Sequence, residues 1–151
     1  MQLDTHDIKI NGERLQIAII LPYFNESLGQ ELLENTAEEL KANQVKEENI
    51  KVARVAGALE LPFAAQKLIE KHNPDAIIAL GIVIRGETSH YDHVIDTTFD
   101  GLMSVQLKHN TPISFGILTC ENLEQVKARI NKNQLNKGKQ IAQAALIQTQ
   151  L

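Results

Sequence analysis

Ala76-Ile77-Ile78-Ala79-Leu80-Gly81-Ile82-Val83-Ile84 is apolar almost throughout, and it gives way abruptly to Arg85-Gly86-Glu87-Thr88-Ser89-His90-Tyr91-Asp92. A run this short and this rich in Ile and Val reads as a strand buried on both faces, the kind a parallel sheet requires. Ser89, with Asp92 three residues on, reads as a helix start with a hydroxyl cap and an acid in its first turn. The loop Arg85–Ser89 then belongs at the carboxyl end of a central strand, where open α/β sheets place their ligands. It offers a cation, a glycine, the free N–H groups of a helix start and, at His90, an imidazole. The combination points to anion binding beside a proton-transfer group.

The same alternation extends to both sides of this stretch. Strands are expected at Leu15–Leu21, closed by Pro22, at Ile50–Ala56 and at Pro112–Thr119. A helix capped by Asn25 or Ser27 should reach about Asn43, with Leu28, Leu32, Leu33, Ala37 and Leu40 in one stripe. Pro62 suits the first turn of a second helix through Lys71, ended by His72-Asn73-Pro74. A third runs from His90 towards His109, weakened in its middle by Gly101. Helix signals return from Asn122 through Ile130 and again over Gln140–Gln150. Asn11-Gly12 is a hairpin signal ahead of the first strand. Strand and helix alternate four times, which calls for a single α/β domain over residues 1–151. Its four-stranded parallel sheet would carry helices on both faces in a three-layer αβα arrangement.

A chain of 151 residues buries about 68–70% of its unfolded surface, enough for one core. The formal charge of −4, without a basic stripe, argues against a nucleic-acid partner. The apolar run Ala76–Ile84 is far short of the roughly 20 residues of a membrane span, and the polar start Met1–Asp7 is no signal peptide. A single cysteine, Cys120, excludes an internal disulfide framework and fits a reducing, cytoplasmic setting.

Strand-to-helix loops of a parallel sheet gather on one edge, so Pro22–Asn25, Gly57–Leu61, Arg85–His90 and Thr119–Asn122 should converge. Phe24 could stack on a flat heterocycle or pin the helix start as a hydrophobic staple. Gly57-Ala58-Leu59-Glu60 could read a ring's polar edge, or be a turn with a solvated carboxylate. The backbone of Gly86-Glu87-Thr88 can bind phosphate, against the charge of the Glu87 side chain. No Walker loop and no dinucleotide fingerprint is present. His90 is the candidate acid–base group, since a helix start favours its neutral, proton-accepting form. His90 and His93 lack an obvious third ligand, so no metal is expected. Arg129 reads as a cation on a helix face, and Cys120 as a small buried or loop residue.

Four stretches together resemble the lumazine synthase family. They are Phe24-Asn25, then Gly57-Ala58-Leu59-Glu60-Leu61-Pro62, then Gly81 through Asp92, and Pro112 through Thr119 with Glu124-Gln125 and Arg129. The resemblance covers essentially the whole chain, and the third stretch is its most specific part. It implies a flavodoxin-like fold and a cofactor-free, metal-free condensation of 5-amino-6-(D-ribitylamino)uracil with 3,4-dihydroxy-2-butanone 4-phosphate. By resemblance, Phe24 stacks on the pyrimidine, and Ala58, Leu59, Glu60, Ile82, Val83 and Ile84 hold the pyrimidine and ribityl chain. Glu87 and Thr88 bind phosphate through the backbone with help from Arg129, and His90 transfers protons. Phe115 and Arg129 would come from a neighbouring subunit of a homopentamer or an assembly of pentamers. Riboflavin synthase is a candidate partner, and residues 1–14 would form an arm lying on a neighbour. The chain departs from the family in Leu59, where Phe is frequent, in Glu87, where a small residue is frequent, and in Asn133, where many members have lysine. Lys132 or Lys137 would have to replace that lysine. A rival reading is a non-catalytic flavin- or phosphate-binding or shell-forming protein on the same fold.

Overall fold

The computed structural model describes residues 8–151. Four parallel strands, β1 (Ile17–Pro22), β2 (Ile50–Val55), β3 (Ala76–Ile84) and β4 (Ile113–Cys120), form one sheet in the order β2-β1-β3-β4. The helices are α1 (Glu26–Ala42), α2 (Leu61–His72), α3 (His90–His109), α4 (Leu123–Ile130) and α5 (Lys137–Gln148). Side-chain alternation along the strands divides the core in two. Ile17, Ile19 and Leu21 of β1, with Ile78, Leu80 and Ile82 of β3, pack with α1, α4 and α5. Ile20 of β1, with Ile77 and Ala79 of β3, packs with α2 and α3. The run Ala76–Ile84 is thus an inner strand covered on both faces, while β2 at the sheet edge is half exposed. Helix ends are turned by asparagine: Asn73 and Asn110 close α2 and α3 in the left-handed region, at φ 45° and 52°. Asparagine tolerates this conformation better than any other residue except glycine.

Several local expectations give way to tertiary partners. Asn11-Gly12 forms no hairpin: the Gly12 N–H donates to Asn43 O at 2.7 Å and the Ile10 N–H to Asn43 Oδ1 at 2.9 Å. This segment is pinned to the end of α1, with Ile10 and Leu15 against the core, and β1 begins only at Ile17. The arm expected over residues 1–14 falls half outside the described residues. Gly101 does not break α3, which is continuous from His90 to His109. A Cβ there would lie 2.7 Å from Pro62 Cγ, so the glycine is what lets the start of α2 close on α3. The last helix begins at Lys137 rather than Gln140, because Asn136 caps it by accepting from the Lys139 N–H.

Strand order decides where a site can form. β1 has β2 on one side and β3 on the other, so the chain reverses direction across the sheet between β1 and β3. Such a switch point leaves a crevice outside the carboxyl ends of the two strands. Pairing of β1 with β3 ends at Ile20↔Ala79, and β3 runs on beside β4 to Ile84. The flank of Ile82–Ile84 nearest β1 is therefore open.

Candidate active site

A cavity of about 420 Å³ lies at this crevice and is lined by three of the four converging loops. Phe24 and Asn25 form its first wall. Asn25 adopts φ 60°, ψ 48° and makes no side-chain cap; its Nδ2 instead donates to Ile82 O at 3.3 Å, tying this loop to β3. Phe24 is 75% exposed. A staple would need a side chain four positions into α1, and that position is Gly29, so the ring is left facing the cavity. Arg54 of β2 holds the loop from below: its Nε donates to Leu21 O at 3.0 Å and its guanidinium stacks 4.1 Å from the Tyr23 ring. Arg54 also pairs with Glu26, and this bond lowers the Glu26 pKa below its ordinary value.

The second wall is Gly57, Ala58, Leu59 and Glu60. Here Ala58–Glu60 makes a 3-10 turn leading into α2. The Gly57 N–H donates to Glu60 Oε2 at 2.9 Å. Glu60 is thus neither simply solvated nor free: its carboxylate closes its own turn at the cavity edge.

The third wall comprises Ile82, Val83 and Ile84 of β3, then Gly86, Thr88, His90, Tyr91 and Val94. Ser89 occupies the cap position of α3 without capping it; the nearby hydroxyl is that of Thr88, which accepts from the His90 N–H at 3.3 Å. Glu87 is exposed and is not among the residues lining the cavity. Arg85, the cation this loop was expected to offer, is already committed. It bonds Asp92 Oδ1 at 3.2 Å and Glu121 Oε2 at 2.9 Å, and its guanidinium stacks 4.4 Å from the Tyr91 ring. Hydrogen bonds to Asp92 and then to Glu121 push its pKa further above the ordinary arginine value.

Phe115 and Arg129 are not brought to the cavity within one chain. Phe115 packs on Phe99, ring centroids 5.8 Å apart, and lines a groove between β4 and α5 of about 530 Å³. Lys137 lines the same groove. Arg129 lies on α4, where its Nη1 donates to Gln125 O of its own helix at 3.1 Å. It also sits near Cys120, opposing the rise that burial imposes on that thiol's pKa. Lys132 is paired with Glu38 of α1, away from both. No Lys or Arg is among the residues lining the cavity. The loop after β4 touches the site only indirectly, through Glu121 and Arg85.

Among the described residues no three His, Cys, Asp or Glu side chains cluster as a metal site, and no helix is long and apolar enough to cross a membrane. Sequence reasoning omitted Tyr91 and Val94 from the site. Val94 stands four residues after His90, one turn along the same helix face, and that spacing was the available signal. Asn25 was read as a cap and as half of the Phe24-Asn25 motif, with no tie to β3, since its bond to Ile82 joins residues distant in sequence.

The sequence model of the 6,7-dimethyl-8-ribityllumazine synthase family matches residues 14–151. A 6,7-dimethyl-8-ribityllumazine synthase of Kosmotoga olearia is 43% identical over 135 residues, which cover 89% of this chain and 86% of that protein. A match across nearly the full length, on a fold whose switch-point cavity gathers the motifs of three loops, makes this chain a member of the 6,7-dimethyl-8-ribityllumazine synthase family.

Proposed function

We propose that the chain condenses 5-amino-6-(D-ribitylamino)uracil with 3,4-dihydroxy-2-butanone 4-phosphate to 6,7-dimethyl-8-ribityllumazine, releasing phosphate and water. The reaction takes place at sites shared between copies of the chain in a homopentamer or an assembly of pentamers. One observation carries this reading in a chain of this family: apolar walls, a helix start and an imidazole surround one cavity that has no cation of its own. A departing phosphate requires positive charge, and the unplaced candidates, Arg129 and Lys137, lie towards the β4 side of the molecule.

Phe24 stacks on the pyrimidine, and the backbone at Ala58, Leu59 and Glu60 reads its polar edge. Ile82, Val83 and Ile84 cover the ribityl chain along the open flank of β3. An amine attacks the ketone to give an imine with loss of water, phosphate leaves as an enol forms, the enol tautomerises to a carbonyl, and the ribitylamino nitrogen closes the ring on that carbonyl with loss of a second water. His90 shuttles the protons. The backbone of Glu87 and Thr88 at the start of α3, with Arg129 of a neighbouring copy, stabilises the phosphate as it leaves. Phe115 arrives with the same neighbour, and Lys137, in the groove with Phe115, replaces the family lysine in preference to Lys132, which Glu38 holds. The single, buried Cys120 supports a reducing, cytoplasmic setting.

Incubating the protein with both substrates while following lumazine fluorescence, together with its mass in solution, tests the reading. An oligomer that forms lumazine is expected; a monomer, or an oligomer that forms none, contradicts it.

A further inference from the structure

We infer that Arg85 is a positioning residue that holds His90 in the cavity by fastening the first turn of α3 to the end of β4. The inference rests on His90 as the proton-transfer group, and it assigns Arg85 no contact with substrate.

The imidazole of His90 has no hydrogen-bond partner among the described residues, so its place is set by the backbone that carries it. Few short hydrogen bonds of its own fasten that backbone. Ser89 makes no side-chain cap, and the bond from the His90 N–H to Thr88 Oγ1 is long, at 3.3 Å. The first helical bonds, from the Asp92 and His93 N–H groups to Ser89 O, measure 3.1 and 3.4 Å.

Arg85 supplies what is missing. Its own N–H donates to Cys120 O at 2.9 Å, so its backbone is joined to the end of β4. Its Nε reaches Glu121 just beyond that strand. The two terminal nitrogens face the two oxygens of Asp92, at 3.2 and 3.5 Å, and the guanidinium plane lies over Tyr91. Tyr91 and Asp92 directly follow His90, so one side chain grips the turn by a ring and by a carboxylate. A planar fork can make these contacts together; an ammonium cannot. The ion pairs are exposed and contribute little to global stability. Their effect is local, on a turn otherwise held by the burial of Tyr91 and Val94.

The test compares Arg85→Lys and Arg85→Gln with the wild-type oligomer. Both variants should keep the wild-type Tm and both KM values within about twofold. A misplaced acid–base group costs roughly ten- to a hundredfold in kcat, and Lys should not rescue it. In a His90→Asn background, Arg85→Gln should cost nothing further, because its effect passes through that ring. Hydrogen exchange of the 88–94 segment should become severalfold faster in Arg85→Gln. Unchanged exchange overturns the inference whatever the activity, which separates its failure from failure of the proposed reaction. So does a wild-type kcat in both variants, a loss confined to KM, rescue by Lys, or a penalty that multiplies with that of His90→Asn.

Discussion

The carboxyl rim between β1 and β3 and the outer side at β4 hold different parts of the proposed site. At the rim, three loops enclose an apolar cavity with an imidazole and the N–H groups of a helix start, while Arg85 of the third loop is held by two carboxylates. At the β4 side, a groove displays Phe115 and Lys137 without an acid–base group, and among the described residues Arg129 bonds only a carbonyl of its own helix. The contrast teaches that a committed cation and an available one differ by their partners and not by their residue type. It is also why we propose that a second copy of the chain supplies the cation that the cavity lining lacks.

The comparison can be broken at either half. The largest effect is expected at the rim: His90→Ala should lower kcat by roughly a hundred- to ten-thousandfold while sedimentation stays that of the wild type. At the β4 side, Arg129→Ala removes a charged hydrogen bond, and the KM for the phosphate substrate should rise by roughly ten- to a hundredfold with the KM for the pyrimidine unchanged. A smaller effect sharpens the same point. Lys137→Ala should raise the phosphate-substrate KM severalfold and Lys132→Ala should leave it unchanged, since Glu38 already holds Lys132. Equal effects of the two lysines would remove Lys137 from the site.

The smallest expected effect is on pH. The bond to Arg54 depresses the Glu26 pKa below its ordinary 4.5, so the folded state gains stability above that value and loses it as pH falls through the depressed one. The loop bearing Phe24 should therefore loosen only in acid. Glu26→Gln should flatten the acid limb of the pH–stability curve and leave the rim unaltered at neutral pH.

Where one residue's chemistry suffices, the sequence was a good guide. Ala76–Ile84 has the strand boundaries that its composition dictates, and α4 is capped by Asn122, whose side chain accepts from the Gln125 N–H. The convergence of three loops followed from a parallel sheet alone. What could not be read depended on distant partners. Nothing within Asn11-Gly12 says that Asn43 will take its N–H groups, nor does Gly101 announce Pro62. Arg85 looked available because Glu121 lies 36 residues away in the chain. The hydroxyl at Ser89 makes no cap, and the one at Thr88 accepts from the His90 N–H instead.

Mixing two damaged subunits tests most directly whether the rim of one copy works with the β4 side of another. His90→Ala and Arg129→Ala, each impaired alone, would be co-assembled in equal amounts and assayed at low phosphate substrate. In a head-to-tail ring, random mixing leaves about a quarter of the sites with both halves intact, so activity should recover to about that fraction of the wild type. A mixture no more active than the average of the two separate variants would contradict the shared site.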